Sequence, residues 1–417
     1  MIRLIVTMKK SHAPTTTSRS SEIAGNIRTS QKASLKVCHL ADIHLGYRKY
    51  QKLSKTGANQ RELDVALAFR ESIDRIIGLS PNLVIMAGDI FHQVRPTNAA
   101  VTFAFKELRR LSSGIGAPII LIAGNHESPK RSDTGCILRL FEEIKGVFVA
   151  DTKTEQFRFE DISLSVTAVP HAALDTLKPD TLRADDNYSY NILTVHGQIG
   201  DSWMSEFGGI ERKLSDLNPH EWDYIALGHI HIPKQIDLNA WFSGAIENTS
   251  SNIWSEADQN KGFLEVFLPE QKVTFHSLSS PREVVSLPPI FGGSIATVED
   301  LSGKLLDAIA SVSGGVDGKI IRLELLDVPR EIFRQLDQKL FRETRLKALH
   351  LQIDLRYSER AHHEKARSAL IPTSYSLKEE LATFVRKNQA KPHVTHDEMI
   401  VLFDDLFTSI EAKNETR

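Results

Sequence analysis

The chain is 417 residues long, more than one ordinary core holds, which sets an expectation of two or three domains. Its 41% hydrophobic and 25% charged residues are globular proportions, and no stretch reaches the roughly 18–20 apolar residues of a membrane span. A net charge of −2 excludes a global attraction to nucleic acid, so any such binding has to use a local patch.

"MIRLIV" is too short for a signal-peptide core, and residues 8–33 are rich in Ser, Thr and basic residues and poor in acids. The first 34 residues are therefore read as a disordered leader. A transit peptide has a similar composition, but a plain tail or mis-chosen start codon is preferred. Cys38 and Cys136 are the only two cysteines, which argues against a disulfide framework and fits a reducing, cytoplasmic setting.

From residue 35 strand and helix alternate. "LKVCHLA" reads as a strand; Leu63, Ala66, Leu67, Ile73 and Ile77 then fall on one helical face, with Arg70 inside the stripe as a paired charge. "NLVIMAG" has the continuous apolar character of a buried strand, a helix follows over about 97–112, and "APIILIAG" is the next strand. That order predicts an α/β sheet with helices on its faces. After 147 the elements are short and strand-like. "SSPREVVSLPPIFGG" (279–293) marks a domain boundary. Beyond it come a helix over about 298–311, the strand "GKIIRLELL", a helix over about 330–347 and the alternating "LHLQIDLRY", a small α+β unit over 294–360. The tail, 370–417, holds two amphipathic helices opened by capping-box pairs, Ser376 with Glu379 and Thr395 with Glu398.

The polar residues at the strand ends carry the chemistry. "HLADIHLG" releases Asp42 and His44, "VIMAGDIFH" Asp89 and His92, "ILIAGNHE" Asn125 and His126, "ILTVHG" His196, and "IALGHIH" His229 and His231. In extended chain, residues i and i+2 point to one face, so each D-x-H or H-x-H pair can converge on one small object. One histidine at a strand end is most often structural, but five such ends are hard to ascribe to accident. Carboxylate, imidazole and amide oxygen without thiolate suit divalent first-row ions such as Mn²⁺, Fe²⁺ or Zn²⁺. Seven of these nine residues taken as ligands are too many for one ion and right for two. His39 and His171 lack this context and are read as structural.

The ordered set D-x-H, GD, GNH[DE], H, GHxH resembles the calcineurin-like metallophosphoesterases over residues 35–280. "DIHLG", "GDIFH", "GNHESPKR", "SGAIE" and "KGFLEV" resemble the Mre11/SbcD branch of DNA-repair nucleases. The resemblance implies a β-sandwich flanked by helices in four αββα layers, then a small capping-like α+β domain and C-terminal helices. It implies one ion on Asp42, His44, Asp89 and His231, and a second on Asp89, Asn125, His196 and His229, with Mn²⁺ the expected metal and Asp89 bridging. It further implies His126 as the catalytic histidine and His92 as a catalytic or orienting one. Lys130 and Arg131, after the GNHE loop, are candidate DNA-phosphate contacts. Glu127 departs from the usual Asp.

The expected activity is exo- or endonucleolytic phosphodiester hydrolysis by the D subunit of an SbcCD/Mre11–Rad50-like complex. The tail would bind the SbcC/Rad50-like coiled-coil ATPase by a helix-in-groove contact or pack on the chain's own 294–360 unit; homodimerisation is left open. The rival expectations are a phosphoesterase for nucleotides or phosphomonoesters, and a non-catalytic scaffold.

Overall fold

The computed structural model describes residues 33–55, 57–128, 135–200 and 211–358. The leader up to residue 32, Lys130, Arg131 and the tail helices of 370–417 lie outside the described residues. Among the described residues no helix is long and apolar enough to cross a membrane.

Two six-stranded sheets pack face to face. The first runs Lys272–Ser277, Gly262–Leu268, Leu35–Leu40, Leu83–Met86, Ile119–Ile122, Val147–Ala150, with the last four mutually parallel. "LVIM" and "IILI" are buried at every position, as a parallel sheet covered on both faces requires. Their alternation sorts side chains between two cores. Cys38, Val84, Met86 and Leu121 face the helices, while Val37, Ile85, Ile120 and Ile122 face the second sheet. The second sheet runs Lys234–Asp237, Ala240–Phe242, Tyr224–Gly228, Tyr190–His196, Leu164–Val169, Glu155–Phe159. His39 lies between the sheets, its Nδ1 2.9 Å from the Tyr224 hydroxyl, a structural place.

The four layers are unequal. Helices Gln60–Leu79 and Asn98–Ile115 cover the first sheet. The outer face of the second is covered by the four-residue helix His171–Leu174 and by 3₁₀ turns carrying Leu217 and Trp222.

The first helix differs from its sequence pattern. Leu67 is 51% exposed, and the buried stripe is Val65, Ala68, Phe69, Ile73 and Ile76. Arg61 and Asp64 occupy the same buried face as an ion pair, so polarity disguised the register. Arg70 is paired as expected, 3.0 Å from Glu107 on the second helix.

A third sheet centres on Ile320–Leu326, with Val284–Ser286, Ile290–Phe291 and His350–Arg356 all parallel to it. It thus draws strands from inside the Pro/Gly-rich stretch. Leu301, Leu305 and Ile309 of helix Val298–Ala310 pack on Ile321, Leu323 and Leu325 in a separate core. The helix expected over 330–347 is instead three pieces, Arg330–Gln335, Gln338–Phe341 and Arg342–Lys347. Leu336 turns extended to bury its side chain, and Asp337 starts the next turn by accepting from the Lys339 N–H at 2.8 Å.

Arg61 ties these parts together. Its guanidinium donates to Asp64 at 2.9 Å, Glu247 at 3.1 Å and the Asn248 carbonyl at 2.7 Å. Arg282 shares Asp64 from the other side and reaches the Gly318 carbonyl, beside the third sheet, at 3.1 Å. Arg61→Met would leave Glu247 buried without a cation, a loss of about 3–5 kcal/mol for a broken buried pair. Urea denaturation checks this; a loss under ~1 kcal/mol would show that Arg282 carries the network alone.

Candidate metal centre

The carboxyl ends of five parallel strands, three from the first sheet and two from the second, meet at one place, and four of them line a cavity of about 430 Å³ with His196 of the fifth buried behind it. Ligand sites form there in α/β sheets because the chain leaves each strand in a loop of free polar groups. Here the loops are locked to one another. Asp42 N–H donates to the Gly88 carbonyl at 3.0 Å, and His44 N–H to the Asp89 carbonyl at 2.8 Å. Asp42, His44, Asp89 and His229 all have positive φ (52°, 55°, 52° and 103°), a conformation that costs a non-glycine residue of order 1–3 kcal/mol and recurs at functional sites.

Glycine permits this crowding at two points. A Cβ on Gly124 would sit 2.1 Å from Asp89 Oδ1, and one on Gly228 would sit 1.8 Å from the Ala87 carbonyl oxygen. That oxygen is also fixed by His196 Nδ1 at 2.7 Å, so it has nowhere to retreat. Gly228→Ala should therefore push the loop bearing His229 out of place. The expected outcome is loss of bound divalent ion with about 1–3 kcal/mol of destabilisation; wild-type metal content and melting temperature would contradict it.

The side chains fall into two groups. His44 Nε2 lies 3.1 Å from His231 Nε2, and His231 Nε2 lies 3.9 Å from Asp42 Oδ1. Asn125 Oδ1 lies 3.1 Å from both His196 Nε2 and His229 Nδ1. Asp89 Oδ2 stands between the groups, 3.5 Å from His196 Nε2 and 3.8 Å from His44 Nε2. Donor atoms of Asp42, His44 and His231 lie within 4.8 Å of one another, as do those of Asp89, His196 and His229. A third such trio is His44, His92 and His126.

Burial sets the charge states. It lowers His44 to about 3, His92 to about 4, and His231 well below the ordinary imidazole range, leaving neutral rings with lone pairs to give. It pushes the Asp42 carboxyl up to about 7, with His196 opposing. For His196 burial also works downward, but Asp89 outweighs it and raises the ring to about 9. Burial works to raise Asp89, yet His196 and His44 hold it well below the usual carboxylate range. The set is thus two buried carboxylates with neutral rings at His44 and His231, while His196, paired with Asp89, has to give up its Nε2 proton to act as a ligand. Oxygen and nitrogen donors with no thiolate fit hard or borderline divalent cations, and such an ion would take the place of the His196 proton as the positive charge beside Asp89.

His126 sits at the mouth. Its N–H donates to Asp89 Oδ1 at 3.0 Å, its Nδ1 lies 2.7 Å from the His92 carbonyl, and its Nε2 lies 3.9 Å from Asp89 Oδ2. His92 Nδ1 lies 3.4 Å from His44 Nδ1, and its ring stacks on His126 at 5.0 Å. Tyr47, Lys49, Thr249, Ser250, Ser251 and Glu256 also line the cavity. Glu127, fully buried, accepts from the Phe91 N–H at 2.5 Å and the Gly124 N–H at 2.9 Å, which braces the loop carrying Asn125. Sequence reasoning had marked Glu127 only as a departure from Asp, and it passed over Lys49, Glu256 and Lys261.

Residues 35–233 match the model of the Calcineurin-like phosphoesterase family. Its curated relatives include DNA double-strand break repair protein Mre11 of Methanococcus maripaludis, 32% identical over 46% of this chain and 50% of that protein. Mre11 of Sulfolobus acidocaldarius is 30% identical over 47% of this chain and 50% of its own length. The chain thus spans about half the length of the curated relatives it matches. Among solved structures, a dimetal phosphatase from Danio rerio shares 10% identity over 59% of this chain and 96% of that one, at a TM-score of 0.37.

Proposed function

We propose that this protein is a DNA nuclease that hydrolyses phosphodiesters at a site of two divalent cations, with Mn²⁺ the working metal. The observation that carries the proposal is the convergence of Asp42, His44, Asp89, Asn125, His196, His229 and His231 at one end of the sheets, with Asp42 and His196 buried behind the cavity lining and His126 at its mouth. Its support in sequence is the likeness to Mre11 proteins.

In this reading Asp42, His44, Asp89 and His231 hold one cation, and Asp89, Asn125, His196 and His229 the other. Two cations so held neutralise the diester, orient it and make water acidic enough to serve as nucleophile. The chain's own groups do the rest. The His92 carbonyl fixes the proton of His126 on Nδ1, so Nε2 faces the cavity. When the ring is also protonated on Nε2, as imidazolium, that second proton can pass to the leaving oxygen and leave the neutral Nδ1–H ring behind, the role of a general acid. His92 holds His126 through its carbonyl and stands beside His44 on the cavity wall, so it orients the catalytic ring or meets substrate itself. Lys49 on the cavity wall and Lys130 and Arg131 outside the described residues would meet backbone phosphates. The 294–360 unit would act as a DNA-capping module. The tail, 370–417, would bind an SbcC/Rad50-like ATPase, giving a cytoplasmic DNA-processing complex.

Purified protein is expected to cleave DNA with Mn²⁺ and to lose that activity with chelator. Assays of single strands and duplex ends beside p-nitrophenyl phosphate and its diester separate this from a phosphomonoesterase. Absence of DNA cleavage across Mn²⁺, Mg²⁺, Fe²⁺ and Zn²⁺ would overturn the proposal for the isolated chain.

A further inference from the structure

We infer that Glu256 is a positioning residue for His231, holding that ring in the tautomer that turns Nε2 toward Asp42 and His44. The inference rests on the metal-dependent reading of the site and adds a residue that lies outside the seven-member donor set.

A histidine that ligates through Nε2 carries its proton on Nδ1, and that N–H needs an acceptor to fix the ring. Two neighbours have one in the main chain. His196 Nδ1 lies 2.7 Å from the Ala87 carbonyl, and His126 Nδ1 lies 2.7 Å from the His92 carbonyl. His231 has no such carbonyl. Its Nδ1 is buried without a hydrogen-bond partner, and Glu256 Oε1 faces it at 3.6 Å. A movement of about 0.5 Å would bring that contact into hydrogen-bond range.

Glu256 is held for this task from two sides. Its Oε2 accepts from Lys261 Nζ at 2.5 Å, and the same ammonium donates to the His231 carbonyl at 3.0 Å. Lys261 therefore grips the main chain of His231 and the carboxylate that faces its ring. Both residues are nearly inaccessible, Glu256 at 3% and Lys261 at 3%, with Glu256 at the edge of the cavity that the metal donors share. Glu256 closes the turn Ile253–Glu256, whose Ile253 is buried against Val284, Ile320 and Leu349 of the third-sheet region. Trp254 lies under the Arg322 guanidinium at 4.9 Å. The turn that carries the acceptor is thus anchored on a different core from the metal ligands.

Titration calorimetry with Mn²⁺ on the full chain, with Mn²⁺ paramagnetic resonance to count sites, tests the proposal. Glu256→Gln should weaken one of the two sites by about 10–100-fold and leave the other unchanged. Raised Mn²⁺ should then restore kcat on DNA with KM for DNA unaltered. Since Glu256→Gln leaves Lys261 without its counter-charge, the double variant Glu256→Gln/Lys261→Met should show the same weakening in a fully folded chain. If that double variant, or Glu256→Gln itself, binds both ions with wild-type affinity, the pair is only an internal salt bridge and the inference fails. A wild-type chain that binds no divalent ion would instead overturn the metal-dependent reading, and this inference with it.

Discussion

Asp89→Ala is expected to lose divalent metal and essentially all phosphodiester hydrolysis. Among the described residues its carboxylate is the one placed between the two donor groups, with Oδ2 3.5 Å from His196 Nε2 and 3.8 Å from His44 Nε2. Its other oxygen accepts the His126 N–H at 3.0 Å, so the same residue also seats the mouth histidine. In the proposed two-cation site, Asp89 would serve both ions, so its removal would take charge from both at once. Ions at such sites contribute several kcal/mol to the transition state, so the rate should fall by about 10³-fold or more. Elemental analysis after gel filtration checks the metal content. Asp89→Asn keeps the side-chain shape against Gly124 and should retain the fold while still losing metal. A variant that keeps two ions and half its activity would remove Asp89 from the centre of the mechanism.

His126→Ala is expected to do something different: lose rate and keep metal. The loss of a general acid typically costs about 10²–10⁴-fold. The ring belongs to neither donor group around Asp42 or Asp89, and at 32% side-chain exposure it is the more accessible partner of its contact with Asp89. The geometry also contains the competing possibility, since His44, His92 and His126 can bring three nitrogens together. If His126→Ala loses an ion by elemental analysis, that trio is a metal site and His126 is a ligand, not an acid.

Much of this site could be read from the sequence because its donors sit where the pattern is simplest. Each follows a short apolar strand, and i, i+2 spacing makes neighbours of Asp42 with His44 and of His229 with His231. Glu256 was invisible for the opposite reason. It acts from a 3₁₀ turn in the polar run "NIWSEADQNKG", where nothing in the spacing points at His231. The first helix shows the same limit. Its apolar residues suggested a face that includes Leu67, but the buried Arg61–Asp64 pair turns the helix so that Leu67 faces water. A buried charge looks like a surface charge until its partner, here Glu247 from a distant loop, is placed beside it. The break near Leu336 was hidden likewise, because an Asp that caps a new turn and an Asp on a helix surface are the same letter.

The most direct test is anomalous diffraction from crystals of the full chain soaked in Mn²⁺. Two peaks about 3.5–4 Å apart are expected, with Asp89 between them. One should lie within coordination distance of Asp42, His44 and His231, and the other of Asn125, His196 and His229. A single peak, or two with one outside this cavity, would contradict the two-metal account.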